Sequence, residues 1–257
     1  MTIFVATISY NHQSYMFHFL KKNVLLKELI PANYVDIHSH LLPGIDDGAV
    51  TIDDTILLLT ELKKLGVTQS ITTPHIHSNV WNNTKESIEQ KYLQTVVNLD
   101  EQVPLRFAAE YMIDPNFEKL FQNDPLLTLK DNYVLIEISY INAPIQLYDI
   151  LFELQIAGYK PVLAHPERYP YYYSNLQAYT KLKNAGCLFQ LNLLSTVGYY
   201  GVDVAKTCEL LLKKGLIDFV GSDVHHNKHI ESFSNKILLK DLQPLKTAIE
   251  NNQFFRE

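Results

Sequence analysis

Seven short apolar, β-rich runs alternate with helical stretches along this chain, and few folds accept such a pattern. The runs are Tyr34–His38, Val67–Thr73, Leu105–Glu110, Tyr133–Ser139, Pro161–His165, Cys187–Leu193 and Ile217–Ser222. Between them, Thr51–Leu65 carries Ile56, Leu59 and Leu62 on one stripe, the spacing of an amphipathic helix, and Gly66 stops it. Ser87–Asp100, Ile145–Ala157, Asn175–Ala185 and Val202–Lys214 follow, the last three closed by Gly158, Gly186 and Gly215, and Leu239–Asn251 ends the series with Pro244 as an expected break. Strand–helix alternation predicts an α/β fold of parallel strands with crossover helices. Seven units suit an open sheet or a closed barrel. No G-x-G-x-x-G follows the first run, which leaves a dinucleotide-binding sheet little support.

The reactive residues favour the barrel. They fall at the C-terminal ends of the runs: His38 and His40, His75, Glu110, Glu137, His165, then Asp223 and His225. Only the sixth run, ending near Asn192, lacks a strong ligand. In (β/α) barrels the active site is assembled at that face from several strand ends, and scattered core histidines would not keep to one end. Asp36, His38 and His40 are two apart, so an unbroken strand would put them on one face, with Asp36 deeper and orienting a ligand histidine. In the Gly-Ile-Asp-Asp-Gly turn Asp47 is the expected ligand and Asp46 the expected cap, since turns favour Asp in any case. His77 reads as an exposed neighbour of His75. Glu110 and Glu137 interrupt apolar strands, where an unpaired carboxylate must take up a proton or meet a cation. Glu137 is placed to bridge two metals. Arg168, three residues after His165, offers a planar fork for phosphate, or else an ion pair with Glu167 or another acid. Asp223 and His225 repeat the two-residue spacing, while His226 and His229 read as an exposed extension. The Tyr169–Tyr173 stretch reads as aromatic packing at the rim.

Composition narrows the function. With 22 basic and 28 acidic residues the net charge is −6, against a general nucleic-acid binder. At 47% hydrophobic and 19% charged, the chain can bury a full core as one domain. Cys187 and Cys208 form no CxxC pair, and Leu193 and Lys214 stand where a C-x5-R phosphate loop needs arginine, which excludes a thiol phosphatase and fits a reducing, cytoplasmic setting. Residues 1–32 read as a partly ordered N-terminal extension and 33–257 as one barrel domain. Asn11, His12, Gln13 and His18 interrupt the apolar start, so neither a signal peptide nor a membrane span is expected, and Met16 competes with Met1 as the native start.

Taken in order, Asp36–Ala49 (DIHSHLLPGIDDGA), Thr72–His75, Ala109-Glu110, Ile136-Glu137, Ala164–Tyr169 (AHPERY) and Ser222–His225 make the sequence resemble the polymerase-and-histidinol-phosphatase (PHP) superfamily. More narrowly, it is similar to the capsule-type bacterial protein-tyrosine phosphatases that act on tyrosine autokinases of polysaccharide export. The resemblance implies a distorted seven-stranded TIM-like (β/α) barrel with two to three divalent metals, manganese foremost and iron, magnesium or zinc as alternatives. It implies His38, His40, Asp47, His75, Glu110, Glu137, His165, Asp223 and His225 as ligands, with Glu137, His165 and Arg168 in the catalytic set and Arg168 on the phosphate. The expected partner is the phosphotyrosine-bearing tail of a bacterial tyrosine kinase, with no nucleic acid and no membrane insertion; an oligomer is compatible with the sequence. The family's second phosphate-binding arginine is missing from His226–Glu231, where Lys228 or His229 is the available substitute. Rival readings are a small-molecule phosphatase, for histidinol phosphate or a nucleotide, and a non-catalytic binding module.

Overall fold

In the computed structural model, which describes residues 23–99, 104–173 and 175–257, every strand pairing is parallel. The strands are β1 (Tyr34–Asp36), β2 (Val67–Thr72), β3 (His75–Ile76), β4 (Leu105–Phe107), β5 (Glu110–Met112), β6 (Tyr133–Glu137), β7 (Lys160–Ala164), β8 (Leu188–Asn192) and β9 (Phe219–Gly221). The helices are α1 (Ile52–Lys64), α2 (Lys85–Val96), α3 (Phe117–Asn123), α4 (Leu147–Ile156), α5 (Leu176–Asn184), α6 (Val202–Lys213), α7 (Asn227–Ser232) and α8 (Gln243–Asn251).

Two expected runs are each split in two. Pro74, which has no N–H to give a ladder, separates β2 from β3, and Ala108-Ala109 separates β4 from β5. Pairing nevertheless continues across both breaks: Ala108 N donates to Thr72 O (2.8 Å) and Glu110 N to Pro74 O (3.1 Å). The sheets therefore read β1-β2-β4 and β3-β5-β6-β7-β8-β9, with β3 extending β2 and β5 extending β4. At the far edges, Asp223 N donates to His38 O (2.7 Å) and His40 N to Val224 O (2.9 Å), so the chain after β9 pairs with the chain after β1.

Strand alternation sorts side chains into two layers. Val35, Ile37, Ile71, Leu135, Val162, Ala164 and Phe219 form a small apolar cluster on one face of the strands, with Phe255 and Leu129 against it. Further along the same faces come the polar groups: Leu135 precedes Glu137, and Leu188 precedes Gln190 and Asn192. The cavity at the strand ends thus has an apolar floor. The opposite faces (Val134, Ile136, Leu163, Phe189, Leu191, Val220) join the larger core under the helices.

The helices follow the expected positions with local corrections. Thr51 caps α1 by accepting from Asp54 N, and the buried stripe is Thr55, Leu58, Leu59 and Leu62; Ile56 lies one residue off it and is exposed. Pro244 sits in the first turn of α8, where a missing N–H costs nothing, so it starts the helix and does not break it. The expected Ser87–Asp100 helix runs Lys85–Val96, and Asp100 lies outside the described residues. So do residues 1–22, and with them the alternative start at Met16. From Val24 the chain joins the fold: Leu26 is fully buried, and Leu26 N and Lys27 N donate to Asn235 O and Phe233 O. Among the described residues, no helix is long and apolar enough to cross a membrane.

Candidate metal centre

Eight side chains from the strand ends, joined by Asp47 from the turn before α1, bring nine histidines and carboxylates into one cluster. Four overlapping groups have ligand atoms within 4.8 Å of one another: His40, Asp47, His75 and His225; His38, His40 and Glu110; His38, His165 and Asp223; His75, Glu110 and Glu137. All nine residues expected as ligands fall in these groups. His38, His40, Glu110, Glu137, His165 and Asp223 are buried, while Asp47 is exposed at the mouth with His75 and His225 half-buried beside it.

Glu110 and Asp223 are the hubs. Glu110 Oε2 lies 3.3 Å from His38 Nε2, 3.5 Å from His40 Nε2 and 3.1 Å from His75 Nδ1, and its Oε1 lies 3.1 Å from His165 Nε2. Asp223 Oδ1 lies 3.3 Å from His38 Nε2 and 3.5 Å from His40 Nε2, while Oδ2 accepts from Arg168 Nη1 (2.9 Å) and Asn192 Nδ2 (2.8 Å). Glu137 flanks His75 and His165, each at 3.7 Å. Asp47 Oδ1 stands 3.4 Å from both His75 Nε2 and His225 Nε2.

Four of the five imidazoles have one ring nitrogen held from behind. His38 Nδ1 lies 2.7 Å from Gln190 Oε1, His40 Nδ1 2.7 Å from Asp46 Oδ2, His225 Nδ1 2.9 Å from Asp223 O, and His165 Nδ1 3.3 Å from Tyr140 Oη. A donated Nδ1–H at each leaves Nε2 as a free lone pair turned into the cluster, the tautomer a metal-binding histidine needs.

Local backbone makes this convergence feasible. Among the described residues, Asp131, His165 and Asp223 are the non-glycine residues with left-handed φ, at 48°, 33° and 50°. Two of the three belong to the cluster, where such conformations cost about 1–3 kcal/mol and concentrate at functional sites. A Cβ on Gly48 would come within 2.2 Å of His40 O, so glycine lets the Asp46–Gly48 turn press onto the His40 backbone. A Cβ on Gly221 would strike Gln190 Nε2 and His38 Cβ, both at 2.6 Å.

Electrostatically the site is short of positive charge. Burial, with Glu110 beside it, pushes Glu137 up to about 8. Burial alone would raise Glu110, but His38 and His75 outweigh it and hold that carboxyl well below the usual range. Burial alone would lower His75, yet Glu110 and Asp47 raise it to about 10. Burial and Arg168 push His165 down to about 4. Glu110 Oε2, buried and facing three imidazole nitrogens, has no hydrogen-bond partner. An orphaned carboxylate oxygen within an oxygen and nitrogen donor set fits divalent cations.

Several expectations need correction. Regular pairing of β1 ends at Asp36, so the two-residue alternation does not carry it to the face of His38 and His40. Its carboxylate accepts instead from Ser222 N (2.9 Å) and Ser222 Oγ (2.5 Å), fastening the end of β1 to the residue after β9, and no hydrogen bond ties it to an imidazole among the described residues. The orienting of histidines falls to Asp46, for His40, and to Gln190, for His38. The sixth strand, apparently without a ligand, supplies both Gln190 and Asn192; the signal was two polar residues sharing a face of an apolar strand. Arg168 pairs with Asp223, while Glu167 is buried and accepts from Asn192 N (3.0 Å) and Ser195 Oγ (2.6 Å). Its guanidinium lies between the rings of Tyr200 and Tyr140, at 4.1 and 5.2 Å. His229 is buried, not exposed: its Nδ1 accepts from His225 N (3.2 Å), and burial pushes it down to about 4, so it is no cation. Lys228 is exposed on α7, and among the described residues no hydrogen bond or ion pair ties its ammonium to the cluster. His77 is half-buried and lies in none of the four groups. Tyr169 and Tyr172 are buried in the main core, and the Tyr169 hydroxyl donates to Ala164 O (3.1 Å).

Parallel strands that end in a buried histidine–carboxylate cluster, with an arginine on its wall, define the class: an α/β protein with a candidate multinuclear metal centre. Within it, the chain belongs to the capsular polysaccharide synthesis CpsB/CapC family, whose model matches residues 34–233. It is 32% identical to the tyrosine-protein phosphatase YwqE of Bacillus subtilis over 76% of this chain and 78% of that one. To the tyrosine-protein phosphatase CpsB of Streptococcus pneumoniae it is 29% identical, over 75% and 83%. A crystal structure from the study of YwqE and CpsB, described as unique metal-dependent tyrosine phosphatases, superposes with a TM-score of 0.68 at 29% identity, covering 77% of this chain and 84% of that one.

Proposed function

We propose that this chain is a metal-dependent protein-tyrosine phosphatase, acting in the cytoplasm on the phosphotyrosine-bearing tail of a bacterial tyrosine kinase. Residues 33–257 form its single PHP-type domain. The pairing of Ser39 with Val224 supports a distorted barrel of seven strand runs, counting β2 with β3 and β4 with β5. The observation that carries the reading is the set of imidazoles each held by an acceptor on one nitrogen and turned into a carboxylate cluster with the other. The names of the relatives support phosphotyrosine as the substrate.

His38, His40, Asp47, His75, Glu110, Glu137, His165, Asp223 and His225 would hold two to three divalent cations, manganese foremost, with His38, His40, His75 and Glu110 each shared between two of the groups. When bound, such ions supply charge for the phosphoryl oxygens and a water made nucleophilic near neutral pH. The chain's own residues do the rest. Arg168 offers its fork to phosphate oxygens, and the Tyr140–Tyr200 sandwich holds the guanidinium plane in place before substrate arrives. Gln190, Asp46 and Tyr140 keep the ring nitrogens aimed. The apolar floor beneath Glu137 excludes bulk water, which strengthens each charge interaction above it. Lys228, exposed on the helix after His225, adds a second positive charge near the mouth, as a point charge without a bidentate grip. No nucleophilic side chain is required, and a phenol departs more readily than an alkyl alcohol.

Hydrolysis of p-nitrophenyl phosphate and of a phosphotyrosyl peptide, measured with bound-metal content before and after chelation, tests this. Activity and metal should fall together and return with manganese. Undiminished turnover in excess chelator would refute the metal reading. Histidinol phosphate or a nucleotide turned over better than the peptide would refute the substrate.

A further inference from the structure

Beside the metal centre runs a groove of about 760 Å³ whose lining, Tyr140 aside, the chemistry above does not use. It is the outward continuation of the same strands. His77, Met112 and Ser139, all on its wall, stand two residues beyond His75, Glu110 and Glu137. Met112 pairs in register with Glu137. Tyr140 joins the two spaces: it lines the groove, its ring is stacked on His165 (5.8 Å, 18°), and it covers one side of Arg168.

The far wall is the loop between β6 and α4. There Ile141 is 87% exposed and Ile145 is 100% exposed, with Pro144 between them. Isolated exposed apolar residues need no explanation, but two isoleucines on the rim of a groove that opens onto a candidate active site make a contiguous patch. Among the described residues, no lysine or arginine lines the groove, and the one carboxylate on it, Asp114, accepts from Ser78 N (2.9 Å) and Asn116 N (2.8 Å). The volume is in the range of roughly 300–1,000 Å³ typical of ligand sites, far more than a tyrosine ring needs.

We propose that this groove receives the residues flanking the phosphotyrosine, and selects an extended, uncharged segment with an aliphatic side chain next to it. The proposal rests on the phosphotyrosine reading above. With Arg168 gripping the phosphate, the aromatic ring passes Tyr140 and the neighbouring side chain lies against Ile141 and Ile145. An acidic neighbour would meet Asp114 with no basic residue to offset it, in a wall that offers mainly apolar surface. The charge for recognition is therefore concentrated at the phosphate, and the flanking contact is hydrophobic.

The test uses the metal-loaded full chain and two peptides, Gly-Leu-pTyr-Leu-Gly and Gly-Glu-pTyr-Glu-Gly, with p-nitrophenyl phosphate as reference. The leucine peptide should show a kcat/KM at least tenfold above the glutamate peptide, the size expected when apolar contacts discriminate. In Ile145→Asp, a substitution at a fully exposed position, the ratio of leucine-peptide to p-nitrophenyl phosphate kcat/KM should fall about tenfold or more. Non-hydrolysable phosphonate versions of both peptides, followed by fluorescence anisotropy, should show the same order of affinity. Equal turnover and binding of the two peptides would overturn the proposal. So would an Ile145→Asp variant that keeps the preference, or one that only changes the oligomeric state and so marks the patch as a contact between copies. Failure of the wild-type protein to hydrolyse any of the three substrates would refute the phosphatase reading, while the phosphonate peptides would still report on the groove.

Discussion

Replacing Gln190 by leucine tests whether the imidazoles are oriented for metal, since it removes one acceptor and leaves every candidate ligand in place. Gln190 and His38 are both fully buried, and Gln190 Oε1 is 2.7 Å from His38 Nδ1. Leucine fills a similar volume but accepts nothing. The imidazole then has two options. It keeps its proton on Nδ1, leaving a buried donor unpaired at about 1–3 kcal/mol, or it shifts the proton to Nε2, the atom 3.3 Å from both Glu110 and Asp223, and loses its lone pair there. Both options penalise the cation-binding state. Partners of this kind are worth about 10- to 100-fold in metal affinity, which at roughly 1.4 kcal/mol per tenfold agrees with the cost of the unpaired donor. Manganese affinity, measured by calorimetry in competition with a chelator, should fall by that factor. Gln190→Glu retains an acceptor and should recover part of the loss, because its other oxygen then faces Leu191 O, to which Gln190 Nε2 donates (2.7 Å). A leucine variant that binds manganese within twofold of wild type, with an unchanged metal-free melting temperature, would refute the reasoning.

Three further outcomes follow from separate parts of the structure. Arg168→Lys keeps the charge but loses the fork and the stacking between Tyr140 and Tyr200, so kcat/KM for p-nitrophenyl phosphate should drop about tenfold or more, and Arg168→Ala about 10²–10³-fold; equal rates in the lysine variant would show that a point charge suffices. Burial pushes the Cys187 thiol up to about 12 and raises Cys208 as well. Iodoacetamide at pH 8 should therefore leave both thiols of the native protein unlabelled, by mass, and activity intact, with labelling only in denaturant. Asn252, fully buried, accepts from Val220 N (3.1 Å) and donates at the seam to Val35 O (2.9 Å) and Val220 O (2.8 Å). Asn252→Ala should cost about 3 kcal/mol by leaving these groups unpaired, seen as a melting temperature lower by about 6–12 °C; a change under 2 °C would mean that the seam does not depend on it.

The strand–helix order and most of the clustered side chains were legible because strand alternation sets each face and the polar residues fall where the runs end or break, His75 and Glu110 opening β3 and β5 after the breaks. Where that alternation fails, the sequence misled. Asp36 precedes the end of regular pairing by no residue at all, so its spacing from His38 carries no information about facing. The breaks at Pro74 and Ala108-Ala109 were hidden because backbone pairing runs through them. α3 and α7, with 7 and 6 residues, are too short to declare a period. Gln190 was overlooked because a neutral amide is no metal donor of note, and its importance arises only from lying behind His38, 152 positions away. His229 looked like a loop residue in a run of polar neighbours, and only packing against Tyr199 and Tyr200 takes it out of water.

One carboxylate explains why the wall arginine and the histidine cluster must be considered together. Asp223 presents Oδ1 to His38 and His40, gives Oδ2 to Arg168 and Asn192, takes His225 Nδ1 on its carbonyl, and donates its own N–H to His38 O. Its left-handed backbone is what turns the side chain and the carbonyl toward different partners at once. Moving Arg168 would therefore disturb the oxygen pair that faces the imidazoles, and moving His38 would disturb the carboxylate that seats Arg168. On the phosphatase reading proposed above, a guanidinium held by an ion pair and two aromatic faces would meet a phosphate already oriented, and less rotational freedom would be lost when the anion binds.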